Sequence, residues 1–189
     1  MGKIICLYGL PACGKTTQAE LIGKDFNFIY FGMGERLRTE ISSGSDLGKK
    51  IKYFVDKGTL ITDDLMGEVI KNVGTEIKRE GIIFDGFPRM ISQAKMLEEI
   101  CAELGQEVDT FFYLKISPET ALQRIAKRAE LTGRSDDKDE SAVRNRLGVF
   151  KQESTILIDY YGKKGKLKEI DGELSIEEVY QIIKKELEK

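Results

Sequence analysis

Short apolar runs recur along the chain, separated by longer stretches whose apolar positions fall three and four residues apart. Ile4-Ile5-Cys6-Leu7, Phe28-Ile29-Tyr30-Phe31, Ile82-Ile83-Phe84 and Phe111-Phe112-Tyr113-Leu114 are nearly continuous, without polar alternation. Strands of that kind are buried on both faces, as in a parallel sheet covered by helices. A weaker run from Leu167 to Ile170 completes a set of five. Between the runs, the spacing predicts helices from about Lys15 to Lys24, Ile91 to Leu104, Pro118 to Ala129 and Ser141 to Tyr161. Ser117 can cap with Pro118 at the first helical position, and Ser175 with Glu178 makes a capping box for the last helix. Strands alternating with helices predict an α/β fold, a three-layer α/β/α core around a five-stranded parallel sheet.

Two regions break the alternation. From Gly32 to Arg79 the pattern is helical, interrupted at Ser42-Ser43-Gly44-Ser45 and Lys57-Gly58-Thr59. It reads as a helical insertion between the second and third strands. From Glu130 to Asp139 a polar stretch separates two helices. Neither region is expected to supply a core element, and either can move relative to the sheet.

Composition narrows the chemistry. Histidine is absent from all 189 residues. That removes imidazole bases, Ser-His-Asp and Cys-His catalysis and His-ligated zinc. The 30 Lys and Arg nearly balance 32 Asp and Glu, for a net charge of −2, so a nucleic-acid coat or a membrane patch is not expected. Cys6, Cys13 and Cys101 are too few and too scattered for a disulfide framework or a CxxC pair; Cys6 and Cys101 read as buried thiols. No apolar run approaches the ~20 residues of a membrane helix, and no leader is visible, so the expectation is a cytoplasmic protein.

Three groups of residues carry chemistry. Gly9-Leu10-Pro11-Ala12-Cys13-Gly14-Lys15-Thr16 fits GxxxxGK[ST], the P-loop, between a buried strand and a helix. Glycine lets the backbone turn its amides inward, where they and the helix N-terminus cradle phosphate oxygens. Lys15 reaches the outer phosphates, and the Thr16 hydroxyl can ligate Mg²⁺. Next, the run ending Phe84-Asp85-Gly86-Phe87-Pro88-Arg89 delivers a carboxylate at a strand's C-terminal end, where ligands bind in doubly wound sheets. Asp85 is placed to hold Mg²⁺ directly or through water. Gly86 and Pro88 make a tight turn that aims Arg89 at the same cleft. Finally, five of the nine arginines, Arg124, Arg128, Arg134, Arg144 and Arg146, fall within 23 positions, while the 21 lysines are scattered. Bidentate grip on phosphate favours Arg. Arg124 and Arg128 share a helix face, whereas Arg144 and Arg146 point apart, so one of them can be a surface charge. Clustered arginines with a P-loop argue phosphoryl transfer, which needs little acid–base help.

With these stretches assembled, the chain resembles the adenylate kinase family of nucleoside monophosphate kinases, in its short-lid form, along almost its whole length. The resemblance rests on the P-loop through Thr17-Gln18-Ala19, on Gly34-Glu35-Arg36-Leu37-Arg38, and on Gly58-Thr59-Leu60-Ile61-Thr62. It rests equally on Asp85 to Arg89 with Gln93, and on Arg124, Arg128, Gly133-Arg134, Asp136-Asp137 and Arg146. It implies one kinase domain, with a core of residues 1–31, 62–126 and 138–189, a monophosphate-binding insertion at 32–61 and a lid at 127–137. The implied reaction is reversible, Mg²⁺-dependent transfer of the γ-phosphoryl of ATP to AMP. Ala12, Cys13, Gly14, Lys15, Thr16 and Thr17 would hold the donor phosphates, and Leu174 would flank the donor base. Met33, Thr59, Leu60, Ile61 and Gln93 would surround the acceptor base. Arg38 and Arg89 would hold the acceptor phosphate, with Gly86, Phe87 and Pro88 also part of the AMP site. Lys15, Arg89, Arg124, Arg128, Arg134 and Arg146 would surround the transferring group, with Arg134 and Arg146 also reaching the acceptor. Thr16 and Asp85 would serve the metal. The lid, with four residues between Arg128 and Gly133, has no room for a zinc-type cysteine cluster. The implied partners are two nucleotides, with a monomer as default and no nucleic acid or membrane.

The chain departs from the family pattern at Ala12, where Gly is usual, at Thr16, where Gly is usual, and at Met33, where Thr is usual. Met33 weakens discrimination among bases. Gln93 still favours adenine, because an amide offers both a donor and an acceptor. A UMP/CMP kinase, or a monophosphate kinase of relaxed base specificity, is therefore the alternative within this chemistry. A P-loop nucleotide switch without transfer is the alternative outside it, and it leaves the arginines without a task. A nucleic-acid-binding ATPase fits poorly with the near-neutral charge.

Overall fold

The computed structural model describes residues 2–77, 81–133 and 135–189. Its elements run β1 (Ile4–Tyr8), α1 (Lys15–Phe26), β2 (Ile29–Gly32), α2 (Met33–Ser42), α3 (Asp46–Lys57), α4 (Asp63–Ile70) and α5 (Val73–Ile77). They continue with β3 (Ile82–Asp85), α6 (Ile91–Glu103), β4 (Thr110–Lys115), α7 (Pro118–Thr132) and α8 (Ser135–Lys138). Last come α9 (Glu140–Lys163), β5 (Leu167–Asp171) and α10 (Ile176–Leu187). All five strands pair in parallel in the order β2-β3-β1-β4-β5.

The near-continuous apolar strands have a direct cause. Successive residues of β1 point to opposite faces, and both faces are covered. Ile4, Cys6 and Tyr8 join an apolar cluster with Phe31, Phe84, Phe111, Leu97 of α6 and Tyr161 of α9. Ile5 and Leu7 join a second cluster with Ile83, Phe112, Ile22 of α1 and Ile183 of α10. Burying each such side chain is worth about 1.5–3 kcal/mol, so a polar residue anywhere in β1 would be costly. Cys6 and Cys101 are both wholly buried, as their apolar settings predict. Burial raises the Cys6 thiol pKa and pushes that of Cys101 up to about 12, which keeps both protonated and unreactive.

Helix ends follow local chemistry. Ser117 accepts from the Thr120 amide with Pro118 just inside the helix, and Ser175 and Glu178 form the expected reciprocal capping box. Asp139, at the end of the polar stretch, caps α9 by accepting from the amides of Ser141 and Ala142.

One expectation is overturned. The region after β2 does supply core: Met33, Leu37, Ile51, Ile61, Leu65, Met66, Ile70, Val73 and Ile77 are buried in the first cluster. Their helical spacing gives these helices apolar faces, which pack α2 on α3 and β3, α3 on α9, and α4 and α5 on α6. The polar stretch likewise contains a buried residue, Asp137, whose carboxylate is paired with two arginines. No described helix is long and apolar enough to cross a membrane.

Strand order positions the site. β1 is central, with β3 on one side and β4 on the other, so its C-terminal end opens at a point where the winding reverses. Leu7 is level with Asp85 in the sheet, and the Gly86 amide donates to Leu7 O at 3.2 Å. The loops after β1 and β3 therefore leave the sheet side by side.

Candidate active site

The loop after β1 turns back on itself, with the Cys13 amide donating to Leu10 O at 3.2 Å, and it ends at Gly14, the N-terminal cap of α1. A side chain on Gly9 would run into Leu114 O and the Cys13 sulfur, so glycine is required there. Ala12 adopts a left-handed conformation, φ 63°, and carries the Cβ that glycine would lack. The Lys15 ammonium donates to Gly9 O and Leu10 O, each at 2.9 Å, and contacts Cys13 Sγ at 3.4 Å. Lys15 is thus held at the mouth of the loop, beside the open amides of the α1 N-terminus. Both are positive partners for an anion.

Above the loop lies a cleft of about 520 Å³, within the range of small-molecule sites. Its walls bring together nearly all the residues singled out from sequence. Ala12, Gly14, Lys15, Thr16 and Thr17 come from the loop and α1, and Asp85, Gly86 and Arg89 from the end of β3. Met33, Arg38, Thr59, Leu60 and Ile61 come from the inserted region. Gln93, Arg124, Arg128 and Arg146 complete the set. Arg134 lies outside the described residues. Arg144 faces solvent, paired with Glu140 on the exposed side of α9, so it is the surface charge of the expected pair.

The side chains of four expected residues stand outside these walls. Cys13 is buried in the apolar cluster beneath the loop, because its side chain points away from the open amides. Phe87 is wholly buried against Phe84, where it anchors the turn that carries Arg89, and Pro88 beside it is also buried. Leu174 is partly exposed after β5.

The arginines are held by named partners. Arg89 Nε donates to Gly86 O at 2.7 Å, so the turn itself orients the guanidinium. Arg124 donates to Gly172 O at 3.1 Å, tying α7 to the loop after β5. Arg128 makes a two-pronged pair with Asp137, at 2.7 and 3.0 Å. Arg146 reaches Asp136 Oδ2 at 3.0 Å, Asp136 O at 2.7 Å and Asp137 Oδ1 at 2.8 Å. Asp137 draws Arg128 and Arg146 together, since its carboxylate accepts from both guanidiniums, and Asp136 holds Arg146 in addition.

Two buried donors on the walls, Arg146 Nε and Gln93 Nε2, have no acceptor among the described residues. Buried donors are rarely left unpaired, so the cleft is built for a ligand rich in acceptor atoms. The Gln93 Oε1 accepts from the Arg89 amide at 2.9 Å, which fixes the side chain while leaving that oxygen a second lone pair and Nε2 its donors. The carboxylate of Asp85 is mostly buried and accepts from the Thr16 hydroxyl at 2.6 Å and the Tyr30 hydroxyl at 3.1 Å.

Sequence reasoning missed several wall residues. Tyr8 stacks on Phe150 with ring centroids 5.1 Å apart, and burial raises its hydroxyl pKa. Tyr30, Val149 and Glu153 also line the cleft. No local motif marks them; the parallel strand order and the return of α9 past the P-loop bring them in.

Comparison with known proteins agrees with this geometry. The family model described as adenylate kinase matches residues 7–166. The chain is 37% identical over 186 residues to an adenylate kinase of Phocaeicola vulgatus, covering 98% of each protein. It is 39% identical over 176 residues to one of a Caulobacter species, covering 93% of each. It is 36% identical over 184 residues to one of Thermus thermophilus, covering 97% of this chain and 96% of that one.

Proposed function

The chain belongs to the adenylate kinase family, a family of phosphotransferases, and we propose that it transfers the γ-phosphoryl of ATP reversibly to AMP, giving two ADP. The observation that carries this reading is the single cleft shared by the P-loop, Asp85 and the five arginines Arg38, Arg89, Arg124, Arg128 and Arg146. Developing charge on phosphate oxygens is best stabilised by such a preorganised set of donors.

In this reading the loop amides from Ala12 to Thr17 and Lys15 hold the donor phosphates. Arg38 and Arg89 hold the acceptor phosphate, and Met33, Thr59, Leu60, Ile61 and Gln93 enclose its base. Arg124, Arg128 and Arg146, with Arg134, surround the group in transit. The Thr16 hydroxyl and the Asp85 carboxylate, joined by a 2.6 Å hydrogen bond, supply hard-oxygen groups suited to Mg²⁺. With so few protein ligands the ion would arrive bound to nucleotide, and when bound it neutralises phosphate charge. The 32–61 and 127–137 segments would close over the nucleotides and exclude water. The setting that goes with this reading is a cytoplasmic monomer whose partners are the two nucleotides.

The test is initial rates with ATP and each of AMP, CMP, UMP and GMP. AMP is expected to give the highest kcat/KM, and a higher value for any other acceptor would overturn the assignment. A relaxed acceptor range is the second reading, favoured by wholly buried Met33, which carries no hydroxyl. Met33→Thr restores a hydroxyl to the base pocket and is expected to raise the AMP-to-CMP ratio of kcat/KM about tenfold, at a stability cost of about 1–3 kcal/mol. An unchanged ratio would remove Met33 from base selection.

Ala12→Gly is a second informative substitution. A left-handed turn costs an L-residue roughly 1–2 kcal/mol, and glycine's added freedom in the unfolded chain returns about half of that. The denaturation midpoint should therefore move little. The KM for ATP should fall about two- to fivefold as the methyl leaves the phosphate-facing loop. A KM that rises would place the Ala12 methyl outside the phosphate contact.

A further inference from the structure

Tyr30 is one of the cleft residues that no sequence motif marks. It sits on β2, whose Gly32 is level with Asp85 of β3. Its hydroxyl donates to Asp85 Oδ2 at 3.1 Å, and the Thr16 hydroxyl donates to the same oxygen at 2.6 Å. The chain makes room for this contact: a Cβ on Gly32 would fall on the Tyr30 hydroxyl. The tyrosine ring thus reaches Asp85 by lying across Gly32, which any other residue would obstruct.

We propose that Tyr30 is a positioning residue for the transfer centre. Its hydroxyl, seated over Gly32, joins Thr16 in committing one oxygen of Asp85 and so sets the carboxylate's rotation, leaving Oδ1 to face the divalent cation that accompanies the nucleotide. Partners of this kind orient metal-facing carboxylates, and their removal usually weakens metal binding more than it alters the fold. The inference rests on the reading of Asp85 as the cation-facing carboxylate.

The test uses Mn²⁺ as a paramagnetic probe, titrated by electron spin resonance into the full chain saturated with ADP. Four proteins are compared: parent, Tyr30→Phe, Gly32→Ala and Asp85→Asn. Tyr30→Phe keeps the ring and deletes the hydroxyl, and it is expected to weaken Mn²⁺ binding about fivefold, the value of one hydrogen bond near 1 kcal/mol. Its kcat should fall by a similar factor with the KM for AMP unchanged, and its urea midpoint should stay close to that of the parent. Gly32→Ala, which pushes the ring off Asp85, should reproduce the Mn²⁺ defect. If Asp85→Asn loses Mn²⁺ while Tyr30→Phe binds it within twofold of the parent, the positioning role is wrong and the kinase reading stands. Unchanged Mn²⁺ affinity in Asp85→Asn would instead remove Asp85 from the cation and overturn the premise along with the inference.

Discussion

Arg89→Ala is expected to lower kcat/KM for AMP by about a thousandfold, close to 4 kcal/mol of transition-state stabilisation. The size follows from how the side chain is mounted. Its Nε is bound to Gly86 O at 2.7 Å and its amide to Gln93 Oε1 at 2.9 Å, so the guanidinium is fixed in orientation before any phosphate arrives. A preorganised, charge-assisted donor of this kind contributes to orientation as well as to binding, so kcat should fall together with kcat/KM. Arg89→Lys keeps the charge and loses the planar fork. It should recover only part of the loss, about tenfold above Ala. The KM for ATP should move less than threefold, because the donor phosphates are held by the loop amides and Lys15 rather than by Arg89. Steady-state kinetics of the two variants with either nucleotide varied would check all of this. Near-native activity in Arg89→Ala would contradict it.

Asp137→Asn is expected to have the second largest effect, and on two observables at once. The Asp137 side chain is fully buried and accepts from Arg128 and Arg146, whose side chains are 28% and 15% exposed. Asparagine matches the shape but withdraws the charge, and its NH₂ group opposes guanidinium donors. Removing one side of a buried pair costs about 3–5 kcal/mol, and the partial exposure of Arg128 argues for the lower end. The urea midpoint should drop accordingly. Measured where the variant is still folded, kcat should fall about a hundredfold, since Arg128 and Arg146 lose the partner that converges them on the cleft. Loss of stability with kcat intact would make Asp137 a structural residue only.

The strands were legible because β1, β3 and β4 are covered on both faces, which stamps an unbroken apolar run into local sequence. The helix starts at Ser117 and Ser175 were legible because a cap is a contact between residues three apart. The P-loop was equally plain, since its chemistry is a matter of spacing within eight residues. What local pattern withholds is everything set by strand order. Asp85 and Tyr30 are 55 positions apart and meet only because β2 and β3 are neighbours. Gln93 shows the same limit at short range: its Oε1 accepts from the Arg89 amide, and that follows from the geometry of the turn between them rather than from residue type. The arginine cluster was visible as a concentration of charge. Its division into Arg146 facing the cleft and Arg144 facing solvent required the actual phase of α9. The misjudged core of the inserted region has a similar origin, because an amphipathic helix declares an apolar face without declaring what it will cover.

The account stands on one cleft in which a P-loop and converging arginines serve two nucleotides at once. Calorimetric titration with a bisubstrate analogue, two adenosines joined by five phosphates, tests that directly. One molecule should bind per chain, at least a hundredfold more tightly than ATP or AMP alone, on the order expected when two sites are spanned by one ligand, and it should displace both. Binding no tighter than ATP, or a complex that still admits AMP, would contradict it.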